Sequence, residues 1–338
     1  MNIKTIAEMA GVSVSTVSKI LNNYSDISEE TKIKVLNIIR ATGYVPSKSA
    51  KLQERTSSRL IGVIFAGRQN IDFSHPFFAE VLSSFKKQIG FLGYDLLFLT
   101  SEQSDSLHGD YLARCRQYQI DGCLIISGQD VEPAVYELDR SEIPCIGIDL
   151  ELQGKGSGYI MSDNYKMSYK AVEHFYLLGY REFGYIGSTM ESNISNLREK
   201  GYIDAIESFG LSVNKDWFVN GDSFYEESGY QAMKAMILAG SVPKALFAAS
   251  DLLAIGAMQA LKEHHFRVPE DVAMIGCDDI EACKYTSPTL STVRQNKDKI
   301  GKLAAALLYD FIHTQSEAGN IMVEPEIIIR ESCGGNQI

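Results

Sequence analysis

From residue 59 onwards, short apolar runs alternate with longer amphipathic stretches, and this alternation constrains the fold more than any other feature of the chain. Runs such as "DGCLII" and "AMIGC" are continuously apolar, which is typical of parallel strands covered by helices on both faces. Intervening stretches such as "SDLLAIGAMQALKEHH" have the spacing of helices. Two series of these units predict an α/β body built from two doubly wound parallel-sheet lobes.

The first 45 residues have a different pattern, which predicts three short helices. Thr5 and Glu8 have the spacing of a capping box, so the first helix is expected to begin at Thr5. Gly11 permits a tight turn, and a second helix is expected at about residues 14 to 21. Two small helices joined by a tight glycine turn are typical of a helix-turn-helix unit.

Polar residues mark where the second and third helices should begin. Ser13 is expected to cap the second helix, and Ser28 begins the third, which Gly43 ends. The residues expected to face inward are Val17, Ile20 and Leu21 in the second helix, and Ile33, Leu36 and Ile39 or Arg40 in the third.

Charge is distributed unevenly between the two parts of the chain. The whole chain has a net charge of -11, which by itself argues against nucleic-acid binding. Residues 1–60, however, contain nine Lys and Arg against five Asp and Glu, whereas the remainder contains 23 against 38. A basic head on an acidic body is typical of an appended nucleic-acid-binding module.

Several long motifs resemble the lactose/galactose-repressor (LacI/GalR) family, from residue 3 to about residue 333. They are "TIAEMAGVSVSTVSKILNN" and "TGYVPSKSA" in the head, and "HPFFAEV", "NLREKGY", "ASDLLAIGAMQAL" and "SPTLSTVRQ" in the body. The resemblance implies an N-terminal all-α helix-turn-helix head and an α/β body with a periplasmic-binding-protein-like fold. The expected parts are a head at 1–46, a hinge helix or linker at 47–58, and an effector-binding and dimerisation core at 59–338, with lobe 1 at about 59–160 and 291–322 and lobe 2 at about 161–290 and 323–334.

The resemblance also implies which residues contact DNA. Val14, Ser15 and Lys19 match positions that read base edges, and Lys19 stands where many members have Arg, which binds guanine through a more rigid fork. The positions that match phosphate contacts are Thr5, Thr16, Ser18 and Asn22. Lys51 and Leu52 of the hinge complete the expected set. The minor-groove wedge position falls by count on Gln53, but we expect the preceding Leu52 to insert.

Four residues match effector-contacting positions of the family: Asp149, Arg198, Ser250 and Asp278. Carboxylates accept hydrogen bonds from vicinal hydroxyls and a guanidinium donates in a fork, so this set favours a carbohydrate-type effector. Phe73, Phe77 and Phe224 are candidates for aromatic walls. Two alternatives stay open for Gln295, which could touch the effector or brace the lobes, and for His75, which could line the cleft or cap a helix. Asp251 is expected to cap its helix.

These observations predict a dimeric, sequence-specific DNA-binding transcriptional regulator, a repressor controlled by a small carbohydrate. Alternatives within the family are a global catabolite-control regulator whose corepressor is a phosphorylated carrier protein, and a regulator that responds to a nucleobase. A transport-type sugar-binding protein would not carry the head. An enzyme is not expected, because the sequence contains no P-loop, no catalytic Ser, His and Asp in a recognisable order, and no G-x-G-x-x-G after the first strand.

Cysteine usage and hydropathy indicate the compartment. The six cysteines form no C-x-x-C pair and no cluster with metal-ligand spacing, so we expect reduced core residues, no metal and no cofactor. The sequence has no signal-like apolar segment at its N-terminus and no apolar run of about 18 residues, so we expect a cytoplasmic protein without a membrane partner.

The resemblance makes Lys19 a test of base readout. Replacing Lys19 with Ala should reduce the preference for an operator duplex over a scrambled duplex by about 1–3 kcal/mol, because a base-edge contact is lost. Gel-shift titrations at a single salt concentration measure both affinities. An equal loss on the two duplexes would instead assign Lys19 to phosphate contacts.

Overall fold

A computed structural model of the chain describes residues 3–21, 27–42, 57–67, 74–100, 110–127, 131–189, 192–314 and 319–335. The chain divides into two compact units, Met1–Thr56 and Ser57–Ile338, called here the head and the body. Asn22, Lys51, Leu52 and Phe73 lie outside the described residues. The same is true of most of the hinge, so its limits at 47 and 58 stay a prediction.

The head consists of α1 (Ile3–Ala10), α2 (Val14–Leu21) and α3 (Glu29–Thr42). The limits predicted for α2 are confirmed, and so is its cap: the backbone N–H of Thr16 donates to Oγ of Ser13 at 3.0 Å. Ser28 caps α3 in the same way, accepting from the N–H of Thr31 at 3.4 Å. The buried side chains at the centre of the head are Ile6, Ala7, Ala10, Val17, Ile20 and Val35.

Two details of the head differ from the sequence expectations. The first helix begins at Ile3, so Thr5 is its third residue and is not the N-cap. Nothing at residues 3 and 4 opposes helix formation, and the helix therefore extends past the capping motif. In α3, Val35 is fully buried whereas Ile33 is 55% exposed, so the face that packs inward is rotated from the expected one.

The first lobe contains a six-stranded, fully parallel sheet of order β11-β5-β4-β3-β1-β2. Its strands are β1 (Leu60–Ala66), β2 (Asp95–Leu99), β3 (Gly122–Ser127), β4 (Cys145–Ile148), β5 (Ser157–Ser162) and β11 (Asn320–Val323). Its helices are α4 (Pro76–Phe91), α5 (Tyr111–Gln117), α6 (Pro133–Asp139) and α11 (Lys297–Thr314). Buried clusters on both faces of the sheet account for the continuously apolar strands.

The second lobe contains a six-stranded sheet of order β12-β10-β9-β8-β6-β7. Its strands are β6 (Phe183–Ser188), β7 (Phe218–Gly221), β8 (Ala245–Ala248), β9 (Ala273–Asp278), β10 (Ser291–Arg294) and β12 (Glu326–Ile328). Its helices are α7 (Asn164–Leu177), α8 (Asn193–Ser208), α9 (Glu226–Leu238) and α10 (Asp251–Glu263). All neighbours are parallel except β10 and β12, which are antiparallel. The predicted pair of doubly wound lobes is confirmed.

The chain crosses between the two sheets three times, between β5 and α7, between β10 and α11, and between β11 and β12. The sequence boundary at 291 is wrong, because Ser291–Arg294 pairs with β9 in the second sheet. The return crossing begins only after Arg294. A short β-branched run can pair with strands of either sheet. The pairing of β10 with β9 places it in the second sheet, and this contact between distant segments cannot be seen in the sequence.

Helices α9 and α10 approach each other unusually closely, and this approach positions two loops of the second lobe. A Cβ atom at Gly256 would overlap the carbonyl oxygen of Glu226, and one at Gly229 would overlap that of Leu253. The contact brings the N-terminus of α9 beside that of α10, where Oγ of Ser250 donates to the carbonyl oxygen of Phe224 at 2.7 Å.

This packing predicts opposite effects for two glycine substitutions. Gly256→Ala should lower the free energy of unfolding by about 1–3 kcal/mol, because the added methyl group meets backbone atoms. Gly90→Ala in α4 meets nothing within 4 Å and should raise it by up to about 1 kcal/mol through helix propensity. Denaturant titrations of both variants check this. Equal shifts would contradict the close approach of α9 and α10.

Candidate functional site

Polar side chains from both lobes meet where the parallel strands reach their carboxyl ends. Asp149 follows β4 directly in the first lobe, whereas Asp278 ends β9 and Gln295 follows β10 in the second. In wound α/β folds this edge of the sheet is where ligands bind. The region between the two lobes at these strand ends is called the cleft below.

Arg198 lies at the centre of the cleft on the second-lobe side. Its side chain extends from α8 and the residue is only 5% exposed. Nε donates to Oδ1 of Asn164 at 2.8 Å, and Nη1 donates to the carbonyl oxygen of Ala249 at 2.5 Å. Two N–H groups are thus anchored in the protein, and among the described residues Nη2 has no hydrogen-bond partner. The ring centroid of Phe224 lies 5.8 Å from the guanidinium carbon.

The charge of Arg198 is balanced by carboxylates of both lobes. Burial alone would lower the pKa of Arg198, but Cys277, Asp278 and Asp149 outweigh it and raise the pKa above its usual value. The guanidinium therefore remains a cation inside the protein. A buried cation that is only partly hydrogen-bonded is an effective donor to a ligand.

Asp149 is the first-lobe carboxyl group of the cleft, and its environment is unusual. Its φ of 56° lies in the left-handed region, which non-glycine residues adopt rarely, and its buried Oδ1 has no hydrogen-bond partner among the described residues. Burial raises the pKa of Asp149 to about 7, since the attraction of Arg198 is smaller and Asp278 opposes it. Strain and an unsatisfied buried oxygen at one residue are features of functional positions.

Asp278 faces Arg198 from the end of β9 and is held by two neighbours. Its Oδ1 accepts from Nε2 of Gln295 at 2.7 Å, and its carbonyl oxygen accepts from Nζ of Lys297 at 2.9 Å. The φ of Asp278 is 120°, again outside the range usual for such a residue. Gln295 therefore holds Asp278 within the second lobe, and its buried Oε1, which has no partner among the described residues, leaves an acceptor in the cleft.

Ser250 and Asp251 have structural roles in this arrangement. The hydroxyl of Ser250 caps α10 by accepting from the N–H of Leu253 at 3.0 Å while it donates to Phe224. Asp251, expected to be a cap, instead connects β10 with the segment that follows β9: Oδ1 accepts from Oγ1 of Thr292 at 2.6 Å and Oδ2 from the N–H of Ile280 at 2.9 Å. Burial raises the pKa of Asp251 to about 7, with Asp278 contributing.

The aromatic candidates are in different environments. Phe77 is 2% exposed and packs in the first-lobe core, where its ring centroid lies 5.0 Å from that of Phe78. Phe224 is half-buried beside Arg198. Of the two aromatic candidates that the structure describes, Phe224 is the one that borders the cleft.

Two cleft residues were missed by sequence reasoning. Asn164 is fully buried at the start of α7, where its Nδ2 donates to the carbonyl oxygen of Ser162 at 3.0 Å while its Oδ1 holds Arg198. Ser127 ends β3, and its buried Oγ has no hydrogen-bond partner in the part of the chain that the structure describes. The position of Ser127 at the end of an apolar run was a usable signal. No local signal shows that Asn164 pairs with a residue 34 positions away.

In the head, α2 has one buried face and one exposed face. Val17 and Ile20 are buried, whereas Val14 is 40% exposed and Ser15 and Lys19 are exposed as well. Thr5 and Thr16 are half-buried, and the side chain of Ser18 lies outside the described part of the chain. A helix of eight residues with small polar groups and one cation on its outer face has the dimensions of a major-groove reader.

Metal clusters and membrane-spanning helices are absent from the described ranges. No group of three or more His, Cys, Asp or Glu side chains there could hold a metal ion. No helix in the described part of the chain has the length and apolar character needed to cross a bilayer. All six cysteines are free and buried, as core residues are.

A helix-turn-helix head joined to a two-lobed body with a polar cleft defines a ligand-responsive DNA-binding regulator. Comparison with known proteins agrees. The family described as "Bacterial regulatory proteins, lacI family" matches residues 2–47, and "Periplasmic binding protein-like domain" matches residues 172–333. The HTH-type transcriptional repressor PurR of Photorhabdus laumondii subsp. laumondii is 31% identical over 333 residues, which is 98% of this chain and 96% of the relative. This chain belongs to the LacI family of bacterial regulatory proteins.

Solved structures give the same fold. The lac repressor dimer bound to operator and the anti-inducer ONPF has a TM-score of 0.83 and is 23% identical, covering 98% of this chain and 99% of that one. A complex of the transcriptional regulator CelR with cellobiose has a TM-score of 0.72 and is 26% identical, with the same coverage. The protein is thus a DNA-binding transcriptional repressor with an effector-binding domain, and it is a regulator rather than an enzyme.

The raised pKa of Asp149 predicts a stability effect that depends on pH. A carboxyl group whose pKa is higher in the folded state stabilises that state at low pH, and this contribution is lost as the pH rises through about 7. Asp149→Asn removes the titration. The free energy of unfolding of this variant, relative to that of the natural protein, should therefore be about 2–3 kcal/mol greater at pH 8 than at pH 5. Denaturant titrations at both values test this, and a pH-independent difference would contradict it.

Proposed function

We propose that this repressor binds a small carbohydrate between its two lobes, and that the bound sugar controls operator affinity. The observation that carries the proposal is the placement of Asp149 and Asp278, from opposite lobes, around the partly anchored guanidinium of Arg198. Hydroxyl groups donate to carboxylates and accept from a guanidinium, so a polyhydroxylated ligand satisfies all three groups at once.

The position of these groups explains how binding could move the lobes. A ligand that contacts both Asp149 and Arg198 is bound best when the lobes are close, so it selects the closed arrangement. The lobes already touch at one edge, where Nδ2 of Asn193 in α8 donates to Oε1 of Glu151 at 2.6 Å. The 26%-identical regulator solved with cellobiose supports a carbohydrate of this kind.

A nucleobase is the second candidate effector, and one observation favours it. Because Asp149 has a pKa of about 7, its carboxyl group is partly protonated at neutral pH and can donate and accept at once, which suits the edge of a base. Phe224 could then stack on the base. The relative named PurR is compatible with this alternative.

The proposed DNA contacts are those that the sequence predicts, and the exposed face of α2 supports the part formed by Val14, Ser15 and Lys19. Val14, Ser15 and Lys19 read base edges, while Thr5, Thr16 and Ser18 contact phosphates. Asn22, Lys51 and Leu52 complete the set as predictions. A single short helix reads few base pairs, so we propose a homodimer that binds two half-sites of a pseudo-palindrome. The protein is proposed to work in the cytoplasm, where its operator DNA lies.

Operator and effector would be coupled by one equilibrium. If the effector favours one arrangement of the lobes and the operator another, each ligand changes the affinity for the other by the same factor. A sugar with equal affinity for both arrangements would have no effect, however tightly it binds.

A thermal-shift panel tests the effector class. We expect glucose, galactose, lactose or cellobiose to raise the melting temperature of the natural protein, because a ligand at 100 times its Kd adds about 2.7 kcal/mol. Adenine and guanine form the nucleobase arm, and stabilisation by these alone would replace the carbohydrate proposal with the alternative. Failure of both arms would contradict both effector classes.

Two arginine variants locate the site. Arg198→Ala should abolish the thermal shift while operator binding in gel shifts persists, because the head does not contain Arg198. Arg181→Ala is the matched control, since Arg181 is exposed in the same lobe and its guanidinium carbon lies 3.9 Å from the ring centroid of Tyr176. A normal ligand response in Arg198→Ala would show that the cleft assignment is wrong.

A further inference from the structure

The first residues of the body, 57–59, are held by a side chain that is distant in sequence. This exit segment contains the last two residues of the predicted hinge and leads directly into β1. Asp121, immediately before β3, accepts hydrogen bonds from all of it. Oδ1 accepts from the N–H of Ser58 at 3.2 Å. Oδ2 accepts from the hydroxyl of Ser57 at 2.5 Å and from the N–H of Arg59 at 2.9 Å.

Backbone hydrogen bonds hold the exit segment from both sides of β1. On the β3 side, the N–H of Asp121 donates to the carbonyl oxygen of Leu60 at 2.9 Å. On the β2 side, the N–H of Asp95 donates to the carbonyl oxygen of Arg59 at 2.8 Å. Oγ of the buried Ser58 accepts from the N–H of Leu60 at 3.1 Å. The chain is therefore fixed before the regular strand begins.

The backbone of Arg59 indicates that these contacts impose its conformation. Its φ of 59° lies in the left-handed region, which costs free energy in a residue other than glycine. Such a conformation persists only where the surrounding contacts determine it. The guanidinium carbon also lies 5.3 Å from the ring centroid of Tyr94, which is 3% exposed. The ring of Tyr94 in turn packs edge to face against Tyr309 and His313 of α11.

We propose that Asp121 is a positioning residue for operator binding, whose carboxylate fixes the point and the direction in which the chain leaves the body. The inference rests on the proposed function, because it assumes that the two heads of a homodimer bind two half-sites. A carboxylate offers acceptors and no donor, which suits it to bind N–H and O–H groups. Asp121 therefore acts through the exit segment and does not contact phosphates.

A fixed exit segment matters because each head is connected to its body through it. Once one head is bound, the second reaches its half-site at an effective concentration set by the length and stiffness of the connection. Release of the exit segment lengthens the flexible part of both connections, and the freed residues lose entropy when the operator is bound. Non-specific binding depends on phosphate charge and needs no fixed spacing between the heads. Release should therefore weaken specific binding selectively.

Asp121→Asn is the most direct test, because it keeps the size of the side chain and replaces one acceptor oxygen with a donor amide. The probe is a duplex that the natural protein selects from a random pool, and a scrambled duplex of the same composition is the reference. Fluorescence anisotropy at one salt concentration measures both affinities. Asp121→Asn should bind the selected duplex about tenfold more weakly than the natural protein does, and the scrambled duplex to within about twofold.

Asp139→Asn is the matched control. Asp139 ends α6 in the same lobe and is 4% exposed. Its Oδ2 accepts from the N–H groups of Gln153 and Gly154, both at 3.1 Å, so this carboxylate holds a different segment. The substitution removes the same charge and the same kind of hydrogen bond. Denaturant titrations should show a loss of stability in both variants, but only Asp121→Asn should lose the preference for the selected duplex. A purely structural role would leave that preference unchanged.

Hydrogen exchange of the full chain shows whether the exit segment is released. In Asp121→Asn, the amides of Ser58 and Arg59 should exchange about tenfold faster than in the natural protein, because their charged acceptor is lost. In Asp139→Asn, the amides of Gln153 and Gly154 should exchange faster instead. A lost preference for the selected duplex without faster exchange at Ser58 and Arg59 would overturn the inference, because Asp121 would not act through the exit segment.

The duplex measurements separate this inference from the proposed function. Binding of the selected duplex by Asp121→Asn to within about twofold of the natural protein would overturn the inference and leave the proposed function intact. Equal losses in Asp121→Asn and Asp139→Asn would also overturn it, because general destabilisation would then explain both. A natural protein that selects no duplex from the pool would contradict the proposed binding of two half-sites, and the inference with it.

Ser57→Ala decides the matter if Asp121→Asn does not fold. Ser57 is exposed, so this variant loses one donor to Asp121 without disturbing the core. It should bind the selected duplex about threefold more weakly than the natural protein, with the scrambled duplex unaffected. Equal affinities of Ser57→Ala and the natural protein for the selected duplex would overturn the inference.

Discussion

The cleft depends on one buried guanidinium, that of Arg198. It is held by a side chain of α7 and a carbonyl group that follows β8, so its position is fixed before any ligand arrives. Its charge is sustained by Asp278 in its own lobe and by Asp149 across the cleft. Removing a partner from such an arrangement leaves an unbalanced buried charge. The polar groups of the two lobes are therefore coupled even without an effector.

This coupling suits a repressor, because it makes the relative position of the lobes sensitive to what occupies the cleft. The chain crosses between the lobes three times, so any movement of one lobe relative to the other has to be accommodated in the connections that follow β5, β10 and β11. A small molecule that satisfies Asp149 from one side and Arg198 from the other replaces direct charge balance with hydrogen bonds. The free energy of that exchange is what an allosteric regulator can transmit to its DNA-binding head.

Local signals in the sequence predicted much of the fold, and long-range contacts account for the rest. Ser13 and Gly11 define the start of α2 because caps and turns depend on adjacent residues. The sheet that Ser291–Arg294 joins, and the orientation that buries Val35 in preference to Ile33, depend on partners distant in sequence. In the cleft, Asp149 and Asp278 act on the charge of Arg198, while the effector contacts expected of these three residues and of Ser250 stay a prediction. Asn164 was missed because its role exists only through Arg198, and the dual hydrogen bonding of Ser250 could be seen only once α9 and α10 were packed.

The most direct test of the central claim is a crystal structure of the full chain with the compound that stabilises it most. We expect electron density for that compound between the lobes, with its polar atoms within hydrogen-bonding distance of Arg198, Asp149 and Asp278. Density at another surface, with Arg198 still bonded only to Asn164 and Ala249, would contradict the account.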